Sequence, residues 1–172
     1  HRYVGADSLP SRLSEFDVKQ FFQLTKQDID ALTKRFRADR LAGAAVLLVF
    51  MRACGRTMDR FTSVPKTLLQ HVGESLGIRA PTIATLRSMY TRRQTHYEHL
   101  LWLKEYLGLA DIDQECSDDL VAHLSALASE VTSIDELVSA AQLWLFERKR
   151  PLSRVSTSRR ARSCSRTARL RR

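Results

Sequence analysis

Ala38-Asp39-Arg40-Leu41-Ala42-Gly43-Ala44-Ala45-Val46-Leu47-Leu48-Val49-Phe50-Met51-Arg52-Ala53-Cys54 is the stretch that decides the fold. From Leu41 to Met51 it is apolar on nearly every side, and a helix of that kind is normally surrounded by protein. The run holds 11 residues and includes Gly43, too short for the roughly 20 that cross a bilayer. It therefore predicts a central, buried helix over Ala38–Cys54. Gly55 ends it, because glycine takes the left-handed cap conformation without a Cβ penalty.

Working outward, the flanking segments also read as helices. Ser14 caps Glu15–Phe22, and Thr25 starts another helix, with Asp28 three residues on and Ile29, Leu32 and Phe36 at helical spacing. After a loop from Arg56 to Val64, Pro65 suits a first turn, Leu68, Leu69, Val72 and Leu76 form a stripe, and Gly77 stops it. Pro81 opens the next helix and Arg93–Leu107 forms a longer one, ended by Gly108. Ser117 is expected to cap a helix to about Val131, with Asp118 and Asp119 complementing its dipole. Ser133 with Glu136 opens a last helix to Arg148. No segment alternates with period two for long, and only 6 Gly and 4 Pro are present, which argues against a strand-and-turn architecture. The expectation is an all-α domain of eight helices, residues 1–149, in a chain of 172 residues.

Charge is unevenly placed. Residues 34–93 carry 12 basic and 3 acidic side chains, residues 94–147 carry 1 and 11, and residues 150–172 carry 9 Arg and no acid. A basic middle invites a polyanion, whereas the acidic segment after it does not. Cys54, Cys116 and Cys164 are too few and too far apart for a disulfide framework or a CxxC zinc site, which suits a cytoplasmic location. The opening residues are too polar for a signal peptide, and no membrane association is expected.

The segment Leu68–Arg87 meets the requirements of a helix-turn-helix. Gly73 supplies a small residue where two steeply crossed helices would touch. Gly77 supplies the left-handed turn, and Ile78, Ile83 and Leu86 face back towards the core. Thr82, Thr85, Arg87 and Ser88 would then lie on the exposed face, suited to base edges in a major groove. Arg92 and Arg93 follow where phosphates would lie, and Arg56, Arg60 and Lys66 fall in or beside the preceding loop, ahead of Arg35 and Arg37 as phosphate contacts. The competing reading is an ordinary right-angled helix pair with a solvated basic surface. His96 and His99 lack a third ligand nearby and read as surface or packed histidines, and Trp102 and Trp144 read as core. No nucleophile, metal or phosphate-loop spacing suggests catalysis, a cofactor or a small-molecule ligand.

His1–Asp7, Leu13–Asp17, Ala53–Phe61, Tyr97-Glu98-His99 with Leu101-Trp102, and Tyr106–Leu109 occur in an order and spacing that resembles the replicative, cointegrate-forming transposases of class II transposons, the Tn-three type. The resemblance covers residues 1 to about 149. In that family an N-terminal region binds the terminal inverted repeats and a distant C-terminal region carries an acidic, magnesium-using catalytic site. The resemblance thus implies a DNA-binding region around residues 56–93, with no catalytic carboxylate and no enzymatic activity of its own. Relatives part from this chain after Lys149. Residues 153–172 hold 8 Arg and 5 Ser, a composition that cannot pack a core and that a shifted reading frame would produce. The expectation is a truncated transposase remnant with a disordered tail over 150–172, the alternative being a natural basic arm. Three readings follow: a module for double-stranded DNA at transposon ends, a helical interaction domain whose acidic 94–147 segment meets the basic 34–93 segment of a second copy, or a transposase remnant with no cellular role.

Overall fold

The computed structural model describes residues 1–58 and 64–152. Among these residues the chain forms eight α-helices and no strand, as the sequence predicts: α1 Glu15–Phe21, α2 Lys26–Arg35, α3 Ala38–Cys54, α4 Lys66–Leu76, α5 Ile83–Met89, α6 Arg93–Leu107, α7 Gln114–Leu127 and α8 Ile134–Glu147. No helix among them is long and apolar enough to cross a membrane.

α3 is the axis of the fold. Every residue from Leu41 to Met51 is buried, and α2, α4, α5 and α6 all pack on it. The main core gathers Phe22, Leu32, Leu68, Val72, Leu86 and Leu103 around this helix. Gly55 ends α3 at φ +73°, and a Cβ there would stand 2.7 Å from the Phe146 ring. This end is a junction for the segment before α1 and the segment after α8: the Gly5 N–H donates to the Cys54 carbonyl at 2.9 Å and the Leu152 N–H to the Gly55 carbonyl at 2.8 Å.

α7 and α8 pair with each other, and a smaller cluster of Cys116, Trp144, Leu145 and Leu152 seats them against Val4. Trp144 is buried as expected, with the Arg148 guanidinium 3.8 Å from its ring centroid. The expectation for α7 needs correction. Its cap is Asp113, whose carboxylate accepts the Cys116 N–H at 2.8 Å, and the helix ends at Leu127. Ser117 lies inside it, its hydroxyl donating to the Asp113 carbonyl, so Asp118 and Asp119 sit beyond the first turn rather than at its start. The physical reason is that Asp is at least as good a cap as Ser, and Asp113 comes first in the chain.

One buried polar network ties three helices together. The Asp28 carboxylate accepts the Thr25 N–H at 2.8 Å, completing a capping box. It also takes two bonds from the Arg52 guanidinium, at 2.6 and 2.8 Å, and the Tyr106 hydroxyl at 2.7 Å. Burial alone would raise the Asp28 carboxyl, but the bonds from Arg52, Thr25 and Tyr106 outweigh it and hold the group well below the ordinary carboxylate range.

Candidate nucleic-acid interface

The segment from α4 to α5 is built around two glycines. Gly77 caps α4 in the left-handed conformation, φ +65°, and the Ile78 N–H returns to the Gly73 carbonyl at 3.0 Å. A Cβ on Gly73 would stand 2.7 Å from Ala80 Cα and 2.8 Å from Ala80 N, so the chain folds back onto α4 at this point. The close approach that Gly73 permits is therefore to the backbone of the turn, where the sequence suggests a contact with the second helix. α4 and α5 both pack mainly on α3 rather than on each other.

α5 itself is short and begins at Ile83, two residues after Pro81. Thr82 is its N-cap, accepting the Thr85 N–H at 3.1 Å, and the two threonine hydroxyls lie 2.8 Å apart. Leu86 is fully buried in the main core, with Ile83 half-buried against it. Thr82 at its N-cap and Thr85, Arg87 and Ser88 within it are all exposed. The far end is held firmly. A Cβ on Gly43 of α3 would collide with the Met89 sulfur and the Tyr90 hydroxyl, and that hydroxyl is 2.7 Å from His99 Nδ1 on α6. His99 is fully buried, 4.6 Å from the Phe36 ring centroid, and burial together with Arg40 pushes its imidazole down to about 4. It is therefore neutral at neutral pH and acts as a packed support for α5, in keeping with a packed histidine.

The sequence-selected residues fall in different places. Thr85, Ser88 and Arg92 line one open cleft together with Asp39 and Arg40 of α3. Arg92 and Arg93 are exposed at the start of α6, and Lys66 is exposed at the start of α4, away from that cleft. Arg60 lies outside the described residues. Arg56 requires correction: it is buried, and its guanidinium donates to Asp7. A loop arginine after a helix-ending glycine reads as solvated, but here the N-terminal segment folds over it. Arg40, which no local pattern singles out, also lines the cleft of Thr85 and Ser88, because the first turn of α3 lies beside α5.

The protein family described as a domain of unknown function (DUF4158) matches residues 6–161. The chain is 32% identical over 149 residues to the transposase for insertion sequence element IS1071 in transposon Tn5271 of Comamonas testosteroni, an alignment covering 86% of this chain and 15% of that protein. It is 29% identical over 105 residues to the transposase for transposon Tn2501 of Escherichia coli, covering 61% of this chain and 10% of that protein. The chain thus spans a small part of the length of the transposases it matches.

Proposed function

Since this chain belongs to the DUF4158 family and is related to transposases, we propose that it is a DNA-binding region that recognises the terminal inverted repeats of its transposon. The observation that carries this reading is the exposed face of α5. Thr85, Arg87 and Ser88 project from a helix whose other face is anchored by Leu86, and the cations Arg92 and Arg93 stand directly beyond it. Hydroxyls and a guanidinium on a rigid helix suit base edges, and flanking arginines suit phosphates. Thr82 contributes chiefly by capping α5, since its hydroxyl is already engaged by Thr85. Lys66 and Arg60 remain phosphate candidates from the basic middle of the chain, and Arg56 is not one. No residue of this region is assigned to bond breakage or joining.

In this reading Arg87 carries sequence preference and Arg92 with Arg93 carries general affinity. Arg87→Ala is expected to lower the preference for a terminal-repeat duplex over a random one by about 1–3 kcal/mol, the range for one bidentate base contact. Arg92→Ala combined with Arg93→Ala is expected to weaken both duplexes about equally and to flatten the salt dependence. Fluorescence anisotropy with both duplexes reads the two effects separately. An unchanged preference in Arg87→Ala would move recognition to another face.

A second reading is self-association, favoured by Tyr97 and Leu101, four residues apart on α6 and 62% and 55% exposed. Sedimentation at rising protein concentration tests it. A monomer throughout would exclude it and leave the DNA reading untouched.

A further inference from the structure

The cleft beside α5 continues past it. A second cleft, lined by Arg35, Arg37, Arg40 and Glu98 among others, shares Asp39 and Arg40 with the first. The two form one groove that runs from the exposed face of α5, across the first turn of α3, to the end of α2. Arg35, Arg37, Arg40 and Arg92 stand along it against two carboxylates, Asp39 and Glu98. The groove is open and polar rather than enclosing, which fits an extended anion better than a compact one.

The arginines are available at small cost. Arg40 meets Glu98 only at 3.5 Å, with both side chains about two-fifths exposed, and Glu98 also accepts from Gln94 at 3.0 Å. An exposed pair of this length contributes little, so Arg40 can leave it for a phosphate. Arg37 is exposed and occupies the N-cap of α3 without making a side-chain cap bond. The positive end of a helix of 17 residues therefore adds to the field of the guanidinia. The position is the decisive point. Thr85 and Ser88, on the face assigned to base edges, line the same groove as Arg40 and Arg92. A major groove is about 12 Å wide, so a helix seated in it brings its neighbours to the flanking phosphates.

We propose that this groove is a seat for the DNA backbone, in which Arg37, Arg40 and Arg92 contact phosphates of the strand that passes α5 on its α3 side. The proposal rests on the DNA-binding reading and adds Arg37 and Arg40 of α3 to its footprint.

The test uses the full chain, so that residues 153–172 contribute equally to every variant. Arg37→Ala with Arg40→Ala is compared with a charge-matched control, Arg12→Ala with Lys19→Ala. Arg12 and Lys19 are exposed, and Lys19 lines a separate cleft between α1 and α4. Binding of a labelled terminal-repeat duplex and of a labelled random duplex is followed across a series of salt concentrations. Each lost phosphate contact reduces the slope of log K against log salt by about 0.9. The expected result is a slope smaller by about 2 on both duplexes, affinity lower by roughly tenfold or more near physiological salt, and an unchanged preference between them. A slope equal to wild type, or an equal loss in the control, overturns the seat while leaving the DNA reading in place. A wild-type protein that binds both duplexes equally overturns repeat recognition, while a reduced slope in Arg37→Ala with Arg40→Ala still supports the seat. Absence of any binding by the wild type overturns both.

Discussion

Val46→Asp is expected to abolish cooperative folding. Val46 is completely buried at the middle of α3, with Ala45, Leu47, Leu48 and Val49 equally enclosed. Four helices pack on α3, so the new carboxylate would have no route to water. An unpaired buried charge costs several kcal/mol at least, set against the roughly 5–15 kcal/mol that holds a domain together. Val46→Ala, which removes volume without adding charge, should lower the melting temperature but leave a cooperative transition. Circular dichroism melting of the two variants is the check. A soluble Val46→Asp protein that melts like the wild type would contradict the placement of the core.

Asp28→Ala should be the most damaging single polar substitution in the described residues. It removes the reciprocal half of the α2 capping box, the bond from the Thr25 N–H, and strands Arg52 and Tyr106, which lie on different helices. Breaking a buried ion pair costs about 3–5 kcal/mol, and the lower end applies because the Arg52 side chain is 34% exposed. Tyr106→Phe removes only one bond and should cost about 1 kcal/mol. The same network predicts a pH dependence. The folded Asp28 titrates below its ordinary value, so the unfolded chain binds the proton first as pH falls. The stabilisation is therefore fully present above about pH 4 and is lost progressively below it. Asp28→Asn should be less stable at neutral pH and should lose less on acidification. Denaturant midpoints measured between neutral pH and about pH 3 decide this, and parallel pH curves for the two proteins would contradict the assignment.

The parts of the fold that could be read from the sequence are those with a local cause. α3 was readable because it is apolar on all sides, and the ends of α3, α4 and α6 because Gly55, Gly77 and Gly108 each adopt a positive φ. The resemblance to Tn-three-type transposases, carried by short strings in order, is matched by the two transposase relatives. Contacts made across long stretches of chain were not readable. Arg56 lies 49 residues from Asp7, the carboxylate that engages it, and no periodicity links them. Leu152 sits in an Arg-rich context that reads as outside the core, yet its N–H bonds to Gly55 and its side chain is buried. The candidate interface shows the same division. The exposed face of α5 follows from the spacing around Leu86, but the position of Arg40 beside it depends on how α3 and α5 pack.

Recognition of a transposon end by this region is the proposal on which the roles of Arg87, Arg92 and Arg40 depend. The most direct measurement is selection of duplexes from a random pool by the full chain, followed by comparison of the enriched sequence with the terminal inverted repeats of the element that encodes it. The expected result is that one sequence is enriched, that it matches the repeats, and that Arg87→Ala reduces the enrichment. Binding with no enriched sequence, or enrichment of a sequence absent from the repeats, would contradict it.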